Sequence, residues 1–503
     1  MRELELKFSV HDPFTLPELV TESSPVAAIS RPTKATLRAT YYDSDDLRLA
    51  RAGITLRRRT GGSDAGWHLK LPIPGDQAGA RNEISAPLGG RKVPVELSQL
   101  VTAYVRGAAI HPVTSLSTQR ASYLLFDAAG EPVAELVDDT VSILDGTHVV
   151  ERFREIEVES KGAKLGFLRK VGSELEAAGA VAGPFMPKAI RAIGSRASAP
   201  ADIEAPAQVD KSSSAGEVTL AFLQTHVGAL IRQDALVRQG ADDSVHQMRV
   251  AARQLRSGLK TFGSLVDEQW ATAVRAELGW LATSLGAARD AEVMTARLVG
   301  ALETIPDPAQ RELAGAAVTR SLTATQRRGE SQLQAALNSK RYVALLDLLV
   351  GAASQPPLTS AALGAAKSVL PPFARRAWQR LEKAVSAIDA DSPAADLHRA
   401  RIFAKQARYA AEACALAFGG PAKLFAKEVV KLQDVLGEHQ DSIVAADAVR
   451  RLAGSRAARD SADLGFGLGM LYCMQLHAAE SARAGLPGVW REVSRRRHRA
   501  WLE

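Results

Sequence analysis

VHQMRVAARQLRSGLKTF, residues 245–262, and LHRARIFAKQARYAAEAC, residues 397–414, align at a single offset: His246 with His398, Arg249 with Arg401, Arg253 with Lys405, and Arg256 with Arg408. In the first segment Val245, Met248, Ala252, Leu255, Leu259 and Phe262 recur at steps of three and four, the spacing of a helix with one buried face. One place later, His246, Arg249, Arg253, Arg256 and Lys260 form a second stripe along the same helix, with no acidic residue among them. The second segment repeats the pattern. Leu397, Ala400, Ala404, Ala407, Ala411 and Cys414 make a seam small enough for close packing, and His398, Arg401, Lys405 and Arg408 make the basic flank, which ends at Glu412. Leu285-Gly286 through Asp290 and Leu436-Gly437 through Asp441 are a further matched pair. Two related helical bundles are the simplest reading.

Outward from this repeat the texture changes once. From about residue 215 to 503 the chain is Ala-, Leu- and Arg-rich with helical spacing. Residues 196–214 are small residues and prolines with little apolar content, which predicts a linker. Residues 1–195 alternate in short runs broken by Gly, Pro and Asp. Strands are predicted at 2–10, 36–43, 53–60, 66–72, 81–86, 119–127, 132–138, 141–145 and 152–160, and helices at 94–106 and 163–179. The fold class is α+β multidomain, with an antiparallel β barrel or sandwich before an all-α part.

On a strand, alternate residues share a face. Glu3, Glu5 and Lys7 therefore lie together, as do Arg57 with Arg59, Arg81 with Glu83, and Glu155, Glu157 and Glu159. Lys70 and Arg120 fall on neighbouring strand candidates. A solvated charged face is the ordinary reading of any one strand. Here the signs segregate: acidic groups stand at both ends of the region and basic pairs between them. Like charges on one strand repel, and the arrangement suits a divalent cation beside a polyanion. Mg²⁺ or Mn²⁺ takes carboxylate oxygens, and phosphate oxygens take Arg forks and Lys point charges.

Glu3-x-Glu5-x-Lys7, Tyr41-Tyr42-Asp43 with Leu56 through Arg59, the Lys70 strand, Arg81-x-Glu83, Arg120, Asp138 and Glu155-x-Glu157-x-Glu159 resemble, in order, the CYTH domain. The resemblance covers residues 1–195. It implies an eight-stranded antiparallel β-barrel with inward charges, the triphosphate tunnel, and hydrolysis of inorganic tripolyphosphate or a related triphosphate with Mg²⁺ or Mn²⁺. Carried over, Glu3, Glu5, Glu155, Glu157 and Glu159 hold metal, and Glu3, Glu5, Lys7 and Glu157 serve catalysis. Arg57, Arg59, Lys70, Arg81, Glu83, Arg120, Asp138 and Lys188 line the substrate site. The His-x-x-Arg-x-x-x-Arg/Lys-x-x-Arg pattern, seen twice, resembles the CHAD domain over 215–503. That implies inorganic polyphosphate binding at His246, Arg249, Arg253, Arg256, Lys260, His398, Arg401, Lys405 and Arg408, and association with polyphosphate granules.

Composition bounds these readings. The net charge is +7, and residues 201–503 carry most of the excess. Each like-charge pair at i,i+4 costs about 0.2–0.5 kcal/mol, so a stripe repeated in both halves favours a bound polyanion over a solvated flank. Aromatic residues are 5% of the chain and do not interleave with the stripes, which argues against nucleic acid. Two cysteines, Cys414 and Cys473, without metal spacing predict a reducing, cytoplasmic setting, and no apolar run is long enough for a membrane span. Neither stripe histidine has a carboxylate or second histidine at i+4, which argues against a metal there. There is no P-loop. The alternatives are a non-catalytic polyphosphate-binding scaffold and, from relatives of the barrel, nucleotide cyclisation. The Arg495–Arg499 tail reads as a frayed basic end.

Overall fold

A computed structural model describes residues 4–11, 13–22, 24–73, 81–183 and 187–502. The chain divides into two compact units, Met1–Asp202 and Ile203–Glu503.

The first unit runs β1 (Glu5–Val10), β2 (Ala28–Ile29), β3 (Thr33–Asp43), α1 (Arg48–Arg51), β4 (Thr55–Thr60), β5 (Gly66–Pro72), β6 (Arg81–Ala86), α2 (Val95–Leu100), α3 (Thr102–Val105), β7 (His111–Phe126), β8 (Pro132–Asp145), β9 (His148–Ser160), α4 (Leu165–Ala177), β10 (Val181–Ala182) and α5 (Lys188–Ile193). The strands form one antiparallel sheet in the order β10-β1-β9-β8-β7-β3-β4-β5-β6, with β2 added to β7. The expected eight-stranded barrel is corrected: among the described residues the sheet is open, ending at β6 on one side and β10 on the other. Alternation reports which residues share a face. It does not report whether two distant edges pair. The expected strands 132–138 and 141–145 are the single strand β8. Consecutive aspartates signal a turn, but here both are answered by cations: Asp138 by Arg154 at 2.6 Å and Asp139 by Arg120 at 2.7 Å. The turn joining β4 to β5 passes through Gly61, at φ 81°, where a Cβ would stand 2.2 Å from the Thr36 carbonyl oxygen. Only glycine fits there.

The two faces of this sheet differ in chemistry. Leu136, Ile156, Val158 and Phe8 lie on one face and pack with Leu168, Val171 and Leu175 of α4 into an apolar core. The other face carries the charges, except at one end, where Ala39, Tyr41, Leu116, Val141 and Ile143 are covered by Ala189 of α5. The predicted linker starts later than residue 196, because Ala197 is buried and Asp202 pairs with Arg51 at 2.7 Å and with Arg106.

The second unit is helical: α6 (Ala215–Arg238), α7 (Ser244–Thr261), α8 (Glu268–Leu302), α9 (Pro308–Leu337), α10 (Lys340–Ser354), α11 (Ala366–Val369), α12 (Pro371–Ser386), α13 (Ala394–Phe418), α14 (Gly420–Ala453), α15 (Arg456–Arg459), α16 (Ala462–Val493) and α17 (Arg496–Arg499). Local chemistry sets several starts. Ser214 and Glu217 make a capping box on α6, and Asp267 and Asp307 accept from Trp270 N and Gln310 N at the heads of α8 and α9. Helices α6 to α9 pack in succession, as do α12, α13, α14 and α16, and α7 packs on α13. These are the two similar bundles the repeat implies. No described helix is long and apolar enough to cross a membrane. The frayed-tail expectation is corrected. His498 is buried, Arg499 pairs with Glu382 at 2.7 Å, and Trp501 packs on Phe418 and Phe425. Aromatic anchoring outweighs the basic run.

Candidate functional site

Strand register brings the charges of the first unit together. Glu5 and Lys7 lie opposite Glu159 and Glu157. Glu135, Val137 and Asp139 lie opposite Glu159, Glu157 and Glu155, and Asp139 also lies opposite Arg120. Farther along the sheet Arg57 lies opposite His68, and Lys70 opposite Glu83. Cross-strand partners share a face, and one cavity of about 1430 Å³ is lined by Glu5, Lys7, Glu135, Glu155, Glu157 and Glu159 on one side and by Arg57, Lys70, Glu83 and Arg120 on the other, together with Arg59, Arg81, Lys188 and Tyr41. Most of the candidates are thereby brought together. Glu3 lies outside the described residues.

One part of the face is acidic and the rest basic. Lys7 Nζ stands 2.9 Å from Glu157 Oε1 and 3.2 Å from Glu5 Oε1. Glu5, Glu157 and Glu159 offer oxygens within 4.8 Å of one another. This is a set of hard donors of the kind Mg²⁺ or Mn²⁺ takes. Burial works against the charge on Glu157, yet Lys188 and Lys7 hold its carboxyl well below the usual range. Glu159 is pushed up, by burial first and then by Glu157 and Glu5. Burial likewise raises Glu155, with Lys188 opposing and Glu157 adding. A divalent ion would relieve this crowding of negative charge.

The basic part is short of counter-charge. Arg59 pairs with Asp64, yet burial and then the nearby Arg57 and Arg120 lower its pKa to about 10. Arg57 Nε and Arg59 Nε are buried with no hydrogen-bond partner among the described residues. Lys70 Nζ reaches Glu83 Oε2 at 3.0 Å, and Arg81 donates to the Gly53 carbonyl at 2.5 Å. Glu83 is held to about 2 by its hydrogen bond with His68 and by Lys70, against burial. It shapes the basic wall and stays anionic. Buried guanidinium nitrogens without partners suit anionic oxygens.

Asp138 is corrected. It lies opposite Ile156, so it faces away from the cavity and binds Arg154 at 2.6–2.8 Å. Its neighbour Asp139, fully buried, faces the charges instead. Sequence reasoning missed Asp139 and also His68, whose ring bonds Glu83 Oε1 at 2.9 Å. The phase of β8 was the missing signal, since apolar residues stand on both of its faces: Leu136 is in phase with Asp138, and Val137 and Val141 are in phase with Asp139.

In the second unit the two basic stripes meet. The Arg253 guanidinium lies in the field of Arg249, Arg401 and Arg408, and Lys405 in that of Arg401, Arg253 and Arg249. Burial, then these three arginines, lower Lys405 to about 8. Arg253 Nε and Arg401 Nε are buried without hydrogen-bond partners among the described residues. The Leu-Gly-x-x-x-Asp segments explain the outer edge of each stripe. The Arg249 guanidinium lies over Gly286 and pairs with Asp290 at 2.6 Å, and Arg401 lies over Gly437 and pairs with Asp441 at 3.3 Å. His398 meets Gln440 at 2.9 Å. Arg408 is partly answered, by Glu412 at 2.6 Å. Lys260 extends the stripe toward Arg275 and Arg380, and burial, then these charges and Arg256, lower its pKa.

Known proteins agree with this division. Residues 1–179 match the CYTH domain model and residues 221–450 the CHAD domain model. Two Mycobacterium tuberculosis proteins, MT2285 (strain CDC 1551 / Oshkosh) and Rv2226 (strain ATCC 25618 / H37Rv), are each 33% identical over 98% of this chain and 96% of their own length. Among solved structures, PptA from Streptomyces chartreusis is 27% identical, covering 56% of this chain and 100% of that one, with a TM-score of 0.49. The CHAD domain from the plant Ricinus communis is also 27% identical, covering 56% and 94%, with a TM-score of 0.45. With a CYTH domain in its first unit, a CHAD domain in its second and relatives matched over nearly its whole length, this chain belongs to the CYTH–CHAD proteins.

Proposed function

We propose that the first unit hydrolyses inorganic tripolyphosphate or a related triphosphate with Mg²⁺ or Mn²⁺, and that the second binds inorganic polyphosphate and can carry the protein to polyphosphate granules. The observation that supports this reading most is the single cavity lined both by the Glu5–Glu157–Glu159 oxygens and by Arg57, Arg59, Lys70, Arg81 and Arg120.

Glu5, Glu157 and Glu159 would hold the ion, which when bound supplies Lewis-acid stabilisation of phosphoryl oxygens and a more acidic water. The chain's own part is positioning and charge. Arg57 and Arg59, with buried unsatisfied Nε atoms, fix phosphate oxygens of the chain interior. Lys70 and Arg81 extend that wall. Arg120 reaches from Asp139 toward Glu157, at 3.9 Å, and so bridges the basic and acidic parts. In the reaction a water oxygen bonds to a terminal phosphorus as the anhydride P–O bond breaks. Orthophosphate and diphosphate leave, and the guanidiniums stabilise the charge gathering on the departing oxygen.

Among the described residues the stripes of the second unit carry no comparable acidic set, and docking is the part that suits them. Joined to the first by one chain, it raises the local concentration of phosphate polymer. The experiment is a panel of tripolyphosphate, long-chain polyphosphate, thiamine triphosphate and ATP, each with Mg²⁺ and Mn²⁺, read as phosphate release. Release from tripolyphosphate above the others is expected. No release from any of them, with polyphosphate still bound, would leave a scaffold. Cyclic AMP from ATP would make it a cyclase.

A further inference from the structure

The charged face holds two groups of carboxylates, and Glu157 belongs to both: Glu5–Glu157–Glu159 and Asp139–Glu155–Glu157. They differ in what already stands among the oxygens. Lys188 Nζ lies 2.5 Å from Asp139 Oδ2, 2.7 Å from Glu155 Oε1 and 3.5 Å from Glu157 Oε1. Asp139 is further committed to Arg120, whose Nε and Nη2 donate to its two oxygens at 2.8 and 2.7 Å. In the other group Lys7 touches Glu5 and Glu157, while Glu159 has no ion pair among the described residues.

Lys188 is held in place by its helix. It is the first residue of α5, and the next residue, Ala189, is buried among Ala39, Tyr41, Leu116 and Val141. Withdrawing the helix that carries this lysine would uncover that apolar end of the face. Mg²⁺ takes carboxylate oxygens at about 2.0–2.1 Å. An ion bound to Asp139 and Glu155 would therefore meet the Lys188 ammonium at contact distance, with charge opposing charge.

We propose that Lys188 is a built-in cation occupying the Asp139–Glu155–Glu157 group, so that among these carboxylates divalent metal is taken at Glu5–Glu157–Glu159 alone. Lys188, Asp139 and Glu155 are then positioning residues. They hold Arg120 and keep Glu157 between a fixed ammonium and an exchangeable ion. Glu155 leaves the set of metal ligands that the sequence suggests. This assignment rests on the metal-dependent reading above.

The test counts Mn²⁺ bound per full-length chain, by calorimetry and by the free-Mn²⁺ electron paramagnetic resonance signal. Lys188→Met is expected to bind one more Mn²⁺ than the native chain, because it vacates a three-carboxylate site. Lys188→Arg, which keeps the charge, is expected to bind the native number. Asp139→Asn is expected to leave the native number unchanged and to remove the extra ion from Lys188→Met. An unchanged count in Lys188→Met, or a lower count in Asp139→Asn alone, overturns the proposal. Should Lys188→Met not fold, Asp139→Asn on the native lysine still decides. A native chain that binds no Mn²⁺ overturns the metal-dependent reading itself, whereas one that binds Mn²⁺ in the same number as Lys188→Met overturns only this assignment.

Discussion

The β unit and the helical unit both gather cations, but they balance them differently. In the β unit, Lys7, Lys70 and Arg120 on the sheet and Lys188 on α5 each meet a carboxylate within 3.2 Å. The result is a face of mixed sign with fixed geometry. On α7 and α13, Arg249, Arg253, Arg401 and Lys405 crowd one another, and among the described residues the carboxylates that answer the stripes stand at their margins: Asp290 on Arg249, Asp441 on Arg401 and Glu412 on Arg408. Mixed sign in a cavity can hold both a metal and a phosphate in set positions, which chemistry requires. Single sign on a helical surface attracts a polyanion without fixing its register, which suits docking.

The largest effect expected from this contrast lies in the β unit. Glu157→Gln removes the carboxylate that lies between Lys7 and Lys188, and tripolyphosphate hydrolysis should fall by about 10²–10³-fold, as for other losses of a charge-stabilising group. Long-chain polyphosphate binding should change little. A Glu157→Gln chain that retains its hydrolysis would break the division of labour.

Next come the helices. Arg253→Ala and Arg401→Ala should each weaken long-chain polyphosphate binding by roughly 10- to 100-fold, the worth of about 1.5–3 kcal/mol for a charged hydrogen bond. Tripolyphosphate hydrolysis should stay at the native rate. Titration calorimetry with the full chain checks the first and phosphate release the second.

A smaller effect is expected with pH. Lys405, lowered to about 8 by burial and its arginine neighbours, is largely neutral above that pH when no anion is bound. A polyphosphate restores its proton, so binding should tighten as pH falls through 8 and weaken by a few-fold, about tenfold at most per unit, as it rises toward the usual lysine value. Lys405→Met should flatten that profile. An unchanged slope in Lys405→Met would remove this lysine from the surface that binds.

The smallest effect on function concerns Asp138. Asp138→Asn breaks its ion pair with Arg154 on the face away from the cavity. It should cost about 1–3 kcal/mol of stability, as a weakened charged hydrogen bond, and leave hydrolysis intact. Urea unfolding and phosphate release together check this.

Much of both sites was legible in the sequence because period and offset are local properties. Alternation placed Arg57 with Arg59 and Glu155 with Glu157 and Glu159, and the offset of the two basic stripes marked the bundles. What was not legible depended on long-range pairing. The phase of β8, which separates Asp138 from Asp139, is set by the register Val137 to Glu157. Whether the sheet closes depends on edges far apart in sequence. The tail looked free because the partners of Arg499 and Trp501 lie more than seventy residues upstream. The saturation of Lys188 required Asp139 to be seen beside it.

The mixed-sign cavity is proposed to hydrolyse triphosphates with a divalent ion. The most direct test is the initial rate of phosphate release from tripolyphosphate by the full chain, with Mg²⁺ or Mn²⁺ and with a chelator, in the native protein and in Arg57→Ala. Release that depends on the ion and falls steeply in Arg57→Ala is the expected result. Release that persists in chelator, or that Arg57→Ala leaves unchanged, would contradict it.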